Sequence, residues 1–178
     1  MKVTFERRKS NAFLPISAAV MSEMQGILSE SYWHVDEMAL RDHSHDETED
    51  LVFLPEAVAD PANTAEVSAL MKICHKHRIP VTVRGGGSGL AGGALPIYGG
   101  LVISMKRFDQ IIQIDTRNFQ VTVEPGVITE NLQQAVKEQG LFYPPDPSSR
   151  GWSFIGGNVS TNAGGPKAVK YGVVKDHV

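Results

Sequence analysis

Two glycine-rich stretches constrain this sequence more than any other feature. Twelve of its 17 glycines lie within residues 85–93 and 151–172, although glycine loses more backbone entropy on folding than any other residue. One reason for such clusters is that main-chain N–H groups approach a phosphate where a Cβ would block contact. The alternative is a pair of mobile surface loops, and composition alone leaves both interpretations open.

The first stretch follows a predicted strand at residues 81–83, and residues 87–92 match the pattern G-x-G-x-x-G. A Rossmann loop requires a long helix from the third glycine, which Gly93 and Pro96 exclude. A P-loop requires Lys followed by Ser or Thr at the position where Gly-Ala stands here. The remaining interpretation is a loop that binds a pyrophosphate through main-chain donors.

The rest of the sequence alternates between helical and strand patterns. Asn63, followed three residues later by Glu66, resembles a capping box at the start of a helix that ends before Pro80. The predicted buried stripe of this helix is Val67, Leu70, Met71 and Cys74. Further helices are predicted within 13–30 and 128–140, and strands at 56–60, 81–83, 101–105, 110–115 and 119–124.

Two stretches are predicted to lack regular structure. Residues 36–50 are dense in acids and histidines and are interpreted as a solvated loop. Residues 141–178 are rich in proline and glycine and are predicted to be mostly loop. A loop of that length inside a compact domain is either functional or mis-assigned.

The order of elements predicts an α+β fold. We expect residues 1–50 to form an N-terminal segment of helix and loop, residues 51–105 a first α/β lobe, and residues 106–178 the start of a second lobe.

Composition narrows the functional class. The net charge of −3 gives no basic surface for nucleic acid. No apolar run approaches the roughly 20 residues of a membrane-spanning helix, and residues 1–10 are charged without a signal-peptide core. The single cysteine excludes an internal disulfide framework. These features predict a cytoplasmic protein without a nucleic-acid partner or an integral membrane segment.

Three motifs in order carry a family resemblance. They are VRGGGSGL at residues 83–90, PPDPSS at 144–149 and GGNVSTNAGG at 156–165, followed by a Tyr-Gly pair at 171–172. Together they resemble the FAD-linked oxidases of the vanillyl-alcohol oxidase / p-cresol methylhydroxylase superfamily. The similarity covers about residues 40–178 and is greatest to the branch of D-lactate dehydrogenase, D-2-hydroxyglutarate dehydrogenase and the glycolate oxidase flavin subunit.

The resemblance implies a p-cresol methylhydroxylase (PCMH)-type FAD-binding domain of two α/β lobes. In this family the domain continues past the position of Val178, so we expect the present domain to be truncated on its C-terminal side. The family's catalytic base, acid-binding arginine and metal-ligand histidines belong to a later substrate domain. The resemblance therefore assigns no catalytic or metal-binding residue here, and we expect the chain alone to be inactive and to bind FAD poorly.

The resemblance also implies which residues bind FAD. The first loop, around the pyrophosphate, comprises Arg84, Gly85, Gly86, Gly87, Ser88, Gly89 and Leu90. Near the adenosine and pyrophosphate are Pro145, Asp146 and Ser148. Lining the flavin and its ribityl chain are Gly156, Gly157, Asn158, Ser160, Asn162, Ala163, Gly164 and Gly165, with Tyr171 and Gly172 completing the set. Some relatives attach the flavin to a histidine in the first loop, where Ser88 stands here, so we expect non-covalent FAD.

The implied activity is oxidation of a small 2-hydroxy acid of the lactate, glycolate or 2-hydroxyglutarate type. In the whole enzyme a base elsewhere removes a proton while hydride passes from substrate C2 to flavin N5, and the electron acceptor is not specified. Two alternatives remain: a sugar-lactone or alcohol oxidase of the same superfamily, and a non-catalytic nucleotide-binding module.

Several other residues have competing interpretations. His43 and His45 suit a metal site less well than a hydrophilic loop. Cys74 lies on an apolar helix face and is predicted to be a buried, inert thiol.

Aromatic and basic residues near the second glycine stretch are also ambiguous. Trp152 and Phe154 are predicted to pack in the core, with a flavin contact as the alternative. Lys167 and Lys170 either neutralise a pyrophosphate or lie on a solvated face.

Overall fold

The computed structural model describes residues 3–4 and 10–178 of the chain. These residues form two compact units, Met1–Arg107 (unit 1) and Phe108–Val178 (unit 2). In chain order, unit 1 contains β1 (Val3–Thr4), α1 (Ala18–Gln25), a 3₁₀ turn (Glu30–Tyr32), β2 (Trp33–His34), α2 (Glu37–Asp42), β3 (Leu51–Val52), β4 (Ala57–Ala59), α3 (Thr64–His77), β5 (Val81–Arg84) and β6 (Leu101–Ser104).

The main sheet of unit 1 has the strand order β2-β4-β6-β5. Strands β4, β6 and β5 are parallel, and β2 runs antiparallel to β4 at the edge. The residues of β4 and β6 are almost completely buried, which explains why both strands are continuous apolar runs rather than alternating patterns. Strands β1 and β3 form a separate parallel pair.

Helix α3 packs into the core cluster of unit 1 through Leu70, Ile73 and Cys74. The predicted stripe is wrong at Met71, which is 43% exposed, because the buried face is centred on Leu70 with Ile73 and Cys74 on either side. The predicted cap is confirmed: Asn63 Oδ1 accepts the Glu66 N–H at 3.0 Å, and Glu66 Oε2 accepts the Ala62 N–H at 2.7 Å.

Unit 2 contains β7 (Ile111–Asp115), β8 (Gln120–Val123), α4 (Thr129–Glu138), α5 (Ile155–Thr161), α6 (Ala168–Tyr171) and a 3₁₀ turn (Val174–Asp176). Strands β7 and β8 form an antiparallel hairpin. Its half-buried side chains pack on a small core of Val127, Leu132, Val136 and Ile155.

The predicted strands and the helix over 128–140 are confirmed, and the described residues 85–100 form turns and bends without a helix. The helix predicted within 13–30 is shorter, spanning α1 alone. Across the described residues, no helix has the length and apolar character needed to cross a bilayer.

The solvated loop predicted at 36–50 is wrong, whereas residues 141–178 are mostly loop, as predicted, with short helices within them. Residues 36–50 include helix α2, capped by the Asp36 side chain on the Ala39 N–H, and they contain fully buried Ser44 and Asp46. Residues 141–178 include α5, although Gly-Gly has low helix propensity. Helix α5 forms because tertiary hydrogen bonds fix its start: the Ile155 and Gly156 N–H groups donate to the carbonyls of Val127 and Pro125 at 2.9 and 2.8 Å.

The Asn63 cap provides a test of what stabilises α3. We expect Asn63→Ala to lower the free energy of unfolding by about 1 kcal/mol, because the Glu66 N–H loses its acceptor. Asn63→Ser, which keeps an acceptor oxygen and places no second carboxylate beside Glu66, should lose less stability than Asn63→Ala. Urea denaturation of the three proteins measures the difference, and equal stability of the alanine variant would contradict the role of the cap.

Candidate FAD-binding site

The first glycine loop, residues 85–93, begins where β5 ends, at the carboxyl edge of the parallel strands. Ligands of open α/β sheets bind outside this edge. No main-chain N–H of residues 85–91 donates a hydrogen bond to any residue that the structure describes. A run of unused main-chain donors in a glycine loop is suited to bind an anion such as a pyrophosphate.

Steric constraints within the chain explain only some glycines of this loop. Gly87 has φ +71°, and a Cβ on it would lie 2.1 Å from Arg84 Nη2. At Gly89 and Gly93 a Cβ would meet no heavy atom within 4 Å, and neither residue has a left-handed φ. Neither the backbone conformation nor a neighbouring group requires glycine at these two positions. The free space beside them fits close approach of a ligand.

The side chain of Arg84 points into unit 1. It is 9% exposed, and its Nη1 donates to the His45 carbonyl at 2.6 Å. Burial lowers the pKa of Arg84, whereas the carboxylates of Asp46 and Asp42 raise it. The effect of burial is the larger of the two, so the pKa of Arg84 lies below its usual value.

The second glycine stretch surrounds α5 in unit 2. A Cβ on Gly156 would lie 2.6 Å from Pro125 Cβ, so packing requires this glycine. At Gly157 a Cβ would meet no atom within 4 Å. The main-chain N–H groups of Gly157, Gly164 and Gly165 donate to no other described residue. Unit 2 therefore repeats the combination of open glycine and unused main-chain donors.

Asn158 has a packing role that sequence reasoning missed. Its side chain is 4% exposed, and Nδ2 donates to Thr129 Oγ1 in the interior of unit 2. Thr129 Oγ1 also lies 2.9 Å from Ser153 Oγ. This buried polar network joins the first turn of α4 to the segment before α5. No local pattern signals it, because the three residues are separated by up to 29 positions.

The backbone of Asp146 lies in close contact with Gly164 and Gly165. The Asp146 N–H donates to the Gly164 carbonyl at 3.1 Å, and a Cβ on Gly165 would lie 2.0 Å from the Asp146 carbonyl oxygen. The Asp146 carboxylate pairs with Lys167 at 3.0 Å and with Arg150 at 3.5 Å. The hydrogen bond from Lys167 lowers the pKa of Asp146. Lys167 is thus engaged by a carboxylate of its own unit.

The other predicted FAD-binding residues of unit 2 lie mainly at its surface. Ser148, Ser160 and Asn162 are exposed. Asn162 ends α5 in the left-handed region at φ 52° and accepts the Lys175 N–H. The Pro145 carbonyl accepts a hydrogen bond from the Gln133 side chain, and the Ala163 N–H donates to the Asn158 carbonyl. Tyr171 is 41% exposed, and Gly172 ends α6. In unit 1, Leu90 is 76% exposed.

The structure distinguishes between the alternative interpretations given above for Trp152, Cys74 and the two histidines of residues 43–45. Trp152 is 45% exposed, so its predicted place in the core is wrong. Cys74 is buried as predicted, and burial raises the pKa of its thiol to about 11. His43 and His45 direct their Nδ1 atoms at the carbonyls of Ala39 and Arg41 in α2, at 2.8 and 3.2 Å. Both rings therefore serve the carboxyl end of a helix.

Comparison with known proteins places these features in a family. A family model described as an FAD binding domain matches residues 55–178. The glycolate oxidase subunit GlcD of Bacillus subtilis (strain 168) is 48% identical over 136 residues, which are 76% of this chain and 29% of that protein. The D-lactate dehydrogenase of Anaerostipes hadrus is 41% identical over 151 residues, which are 85% of this chain and 30% of that protein.

Solved structures show the same fold. Alkyldihydroxyacetonephosphate synthase aligns with a TM-score of 0.81 at 22% identity, over 98% of this chain and 36% of that chain. p-Cresol methylhydroxylase aligns with a TM-score of 0.63 at 23% identity, over 72% of this chain and 27% of that chain. The predicted PCMH-type fold is confirmed.

The chain is therefore an FAD-binding domain, since the family match covers more than half of its residues. The glycolate oxidase subunit and the D-lactate dehydrogenase are relatives of this domain. It spans less than a third of the length of these two relatives. The unused donors and open glycines of each unit fit the FAD that defines the family.

The two kinds of glycine in the first loop can be separated experimentally. We expect Gly89→Val to weaken FAD binding about tenfold or more, because a side chain there blocks a charge-assisted contact to phosphate, and to leave thermal unfolding without FAD unchanged. Gly87→Val should destabilise the protein even without FAD, by roughly 1–3 kcal/mol, because of its positive φ and the buried Arg84. Flavin fluorescence titration and calorimetry of the protein expressed from its complete gene measure both. Wild-type affinity in Gly89→Val would refute the role of this loop.

Proposed function

We propose that this chain is the FAD-binding portion of an oxidoreductase that oxidises a small 2-hydroxy acid of the lactate, glycolate or 2-hydroxyglutarate type. The observation that carries the proposal is the run of unused main-chain donors in the glycine loop at the carboxyl edge of β5. The substrate class is supported by similarity to a glycolate oxidase subunit and to a D-lactate dehydrogenase.

Within this proposal the two glycine stretches have separate tasks. Residues 85–90 hold the pyrophosphate of FAD through main-chain N–H groups. Residues 145–148 approach the adenosine side. Residues 156–165, with Tyr171 and Gly172, line the flavin and its ribityl chain. Bound FAD supplies an acceptor for the hydride of the substrate. The chain's own contribution is to bind and orient the cofactor, and no catalytic residue or metal ligand is assigned to it.

Main-chain binding of the pyrophosphate suits the charges present. The Arg84 guanidinium donates to the carbonyls of His45 and Asp42, and Lys167 pairs with the Asp146 carboxylate. The donors that we assign to the phosphate are the unused main-chain N–H groups of each unit. A loop of this kind gains affinity by close approach, which explains why glycine occupies positions such as Gly89 and Gly157, where the fold itself does not require it.

A cytoplasmic location remains a prediction from the composition.

We expect the flavin to be bound without a covalent link, because Ser88 occupies the loop position at which some relatives carry the linking histidine. Acid precipitation of the purified holoprotein should release all of its flavin into the supernatant. Mass spectrometry of the denatured protein should give the unmodified polypeptide mass. A polypeptide heavier by one FAD would be the opposite result and would show that another side chain forms a covalent link.

Substrate class is tested by dye reduction. We expect the protein expressed from its complete gene and loaded with FAD to reduce an artificial electron acceptor with glycolate, D-lactate or D-2-hydroxyglutarate. L-Lactate serves as the stereochemical control, and an aldonolactone and a primary alcohol test the other oxidase activities of this superfamily. Turnover with the lactone or the alcohol alone would replace the proposed substrate class. Flavin binding without turnover of any substrate would favour a non-catalytic nucleotide-binding role.

A further inference from the structure

Residues 42–48, which precede β3, are hydrogen-bonded to the first glycine loop at both of its ends. At the start of the loop, Arg84 Nη1 and Nη2 donate to the carbonyls of His45 and Asp42 at 2.6 and 3.4 Å. Further along, the Glu47 N–H donates to the Gly89 carbonyl at 3.1 Å. Near the end, the Gly92 N–H donates to Thr48 Oγ1 at 3.0 Å. We name residues 42–48 the brace.

The brace is itself fixed within unit 1. Asp46 is 1% exposed, and its Oδ1 accepts the Thr48 N–H at 2.9 Å. The Ser44 carbonyl accepts the Phe53 N–H at 2.8 Å, which joins the brace to the residues that follow β3. A buried carboxylate that accepts a main-chain hydrogen bond is costly to leave without a partner. The position of Thr48 is therefore determined by buried contacts rather than by solvent-exposed ones.

The buried side chain of Arg84 supports the backbone of the glycine loop. Its guanidinium is buried, it donates to two carbonyls of the brace, and it lies where a Cβ on Gly87 would have to stand. The main chain of Gly87 therefore packs directly against the Arg84 guanidinium. The brace contacts engage the Gly89 carbonyl and the Gly92 N–H, and they leave the N–H groups of residues 85–91 unused by any described residue.

We propose that Arg84 and Thr48 are positioning residues, which hold the glycine loop in its binding shape and do not themselves contact the cofactor. The proposal rests on the proposed function, in that the loop is taken to bind the pyrophosphate of FAD. It assigns a task to the acid- and histidine-rich segment and distinguishes Arg84 from the residues that contact FAD.

The first test separates positioning from direct charge contact at Arg84. Arg84→Lys keeps the positive charge but does not reproduce the guanidinium that spans two carbonyls and supports Gly87. A positioning role predicts that Arg84→Lys and Arg84→Gln weaken FAD binding by similar factors, about tenfold each. If Arg84→Lys binds FAD like the wild type while Arg84→Gln does not, Arg84 acts through its charge and the proposal is wrong.

The second test uses Thr48, whose side chain is uncharged. Thr48→Val removes the acceptor of the Gly92 N–H, and Thr48→Ser keeps it as the matched control. In the protein expressed from its complete gene and freed of FAD, we expect hydrogen–deuterium exchange to rise in peptides covering residues 85–93 for Thr48→Val only. Peptides covering the buried strands β4 and β6 should not change. FAD affinity should fall about fivefold in Thr48→Val and remain unchanged in Thr48→Ser.

The two measurements distinguish the failure of this inference from the failure of the proposed function. Unchanged exchange in Thr48→Val, or altered exchange with wild-type FAD affinity, would overturn the positioning role. A wild-type protein that binds no FAD would instead overturn the proposed function, while the exchange data alone would still decide whether the brace orders the loop.

Discussion

Parallel pairing of β5 with β6 determines where the first glycine loop begins. The register joins Val81 to Leu101 and Arg84 to Ser104, and the Met105 N–H continues the ladder to the Arg84 carbonyl. Both strands end together, so the chain that leaves β5 emerges at the carboxyl edge of the sheet. Because β6 is completely buried between β4 and β5, this edge cannot shift without disrupting the core. The direction of Arg84, the conformation of Gly87 and the contacts of the brace all follow from that register.

Local sequence signals predicted the elements that depend on local interactions. The Asn63 cap, the Val- and Ile-rich strands and the helix before Gly140 each depend on neighbouring residues, and the structure has them in place. Family resemblance supplied the fold and the cofactor. The sequence did not reveal α5 or the buried Asn158, because both depend on hydrogen bonds to residues 125–129, which are far away along the chain. The acid-rich segment was misread for the same reason: its charges suggested solvent, but Asp46 is buried beside Arg84.

Glycine residues in this chain fall into two groups, which differ in the space available for a Cβ. At Gly156 and Gly165 the neighbouring backbone and Pro125 leave no room for a Cβ, so glycine there is a condition of folding. At Gly89 and Gly157 the surroundings are open, so the fold itself does not require glycine there. A glycine count treats both kinds alike, and only the surroundings of each residue tell them apart. The candidate site of each unit contains both kinds, which couples the folding of the loops to their binding shape.

The unused N–H groups of residues 85–91 have a further chemical consequence. A peptide N–H carries no net charge and does not titrate in the range in which proteins are folded. Recognition of a diphosphate by such groups depends little on pH, and it is less sensitive to ionic strength than recognition by lysine or arginine, whose attraction salt screens. Under the proposed role of this loop, the side chains of Ser88 and Leu90 can differ without altering the main-chain donors.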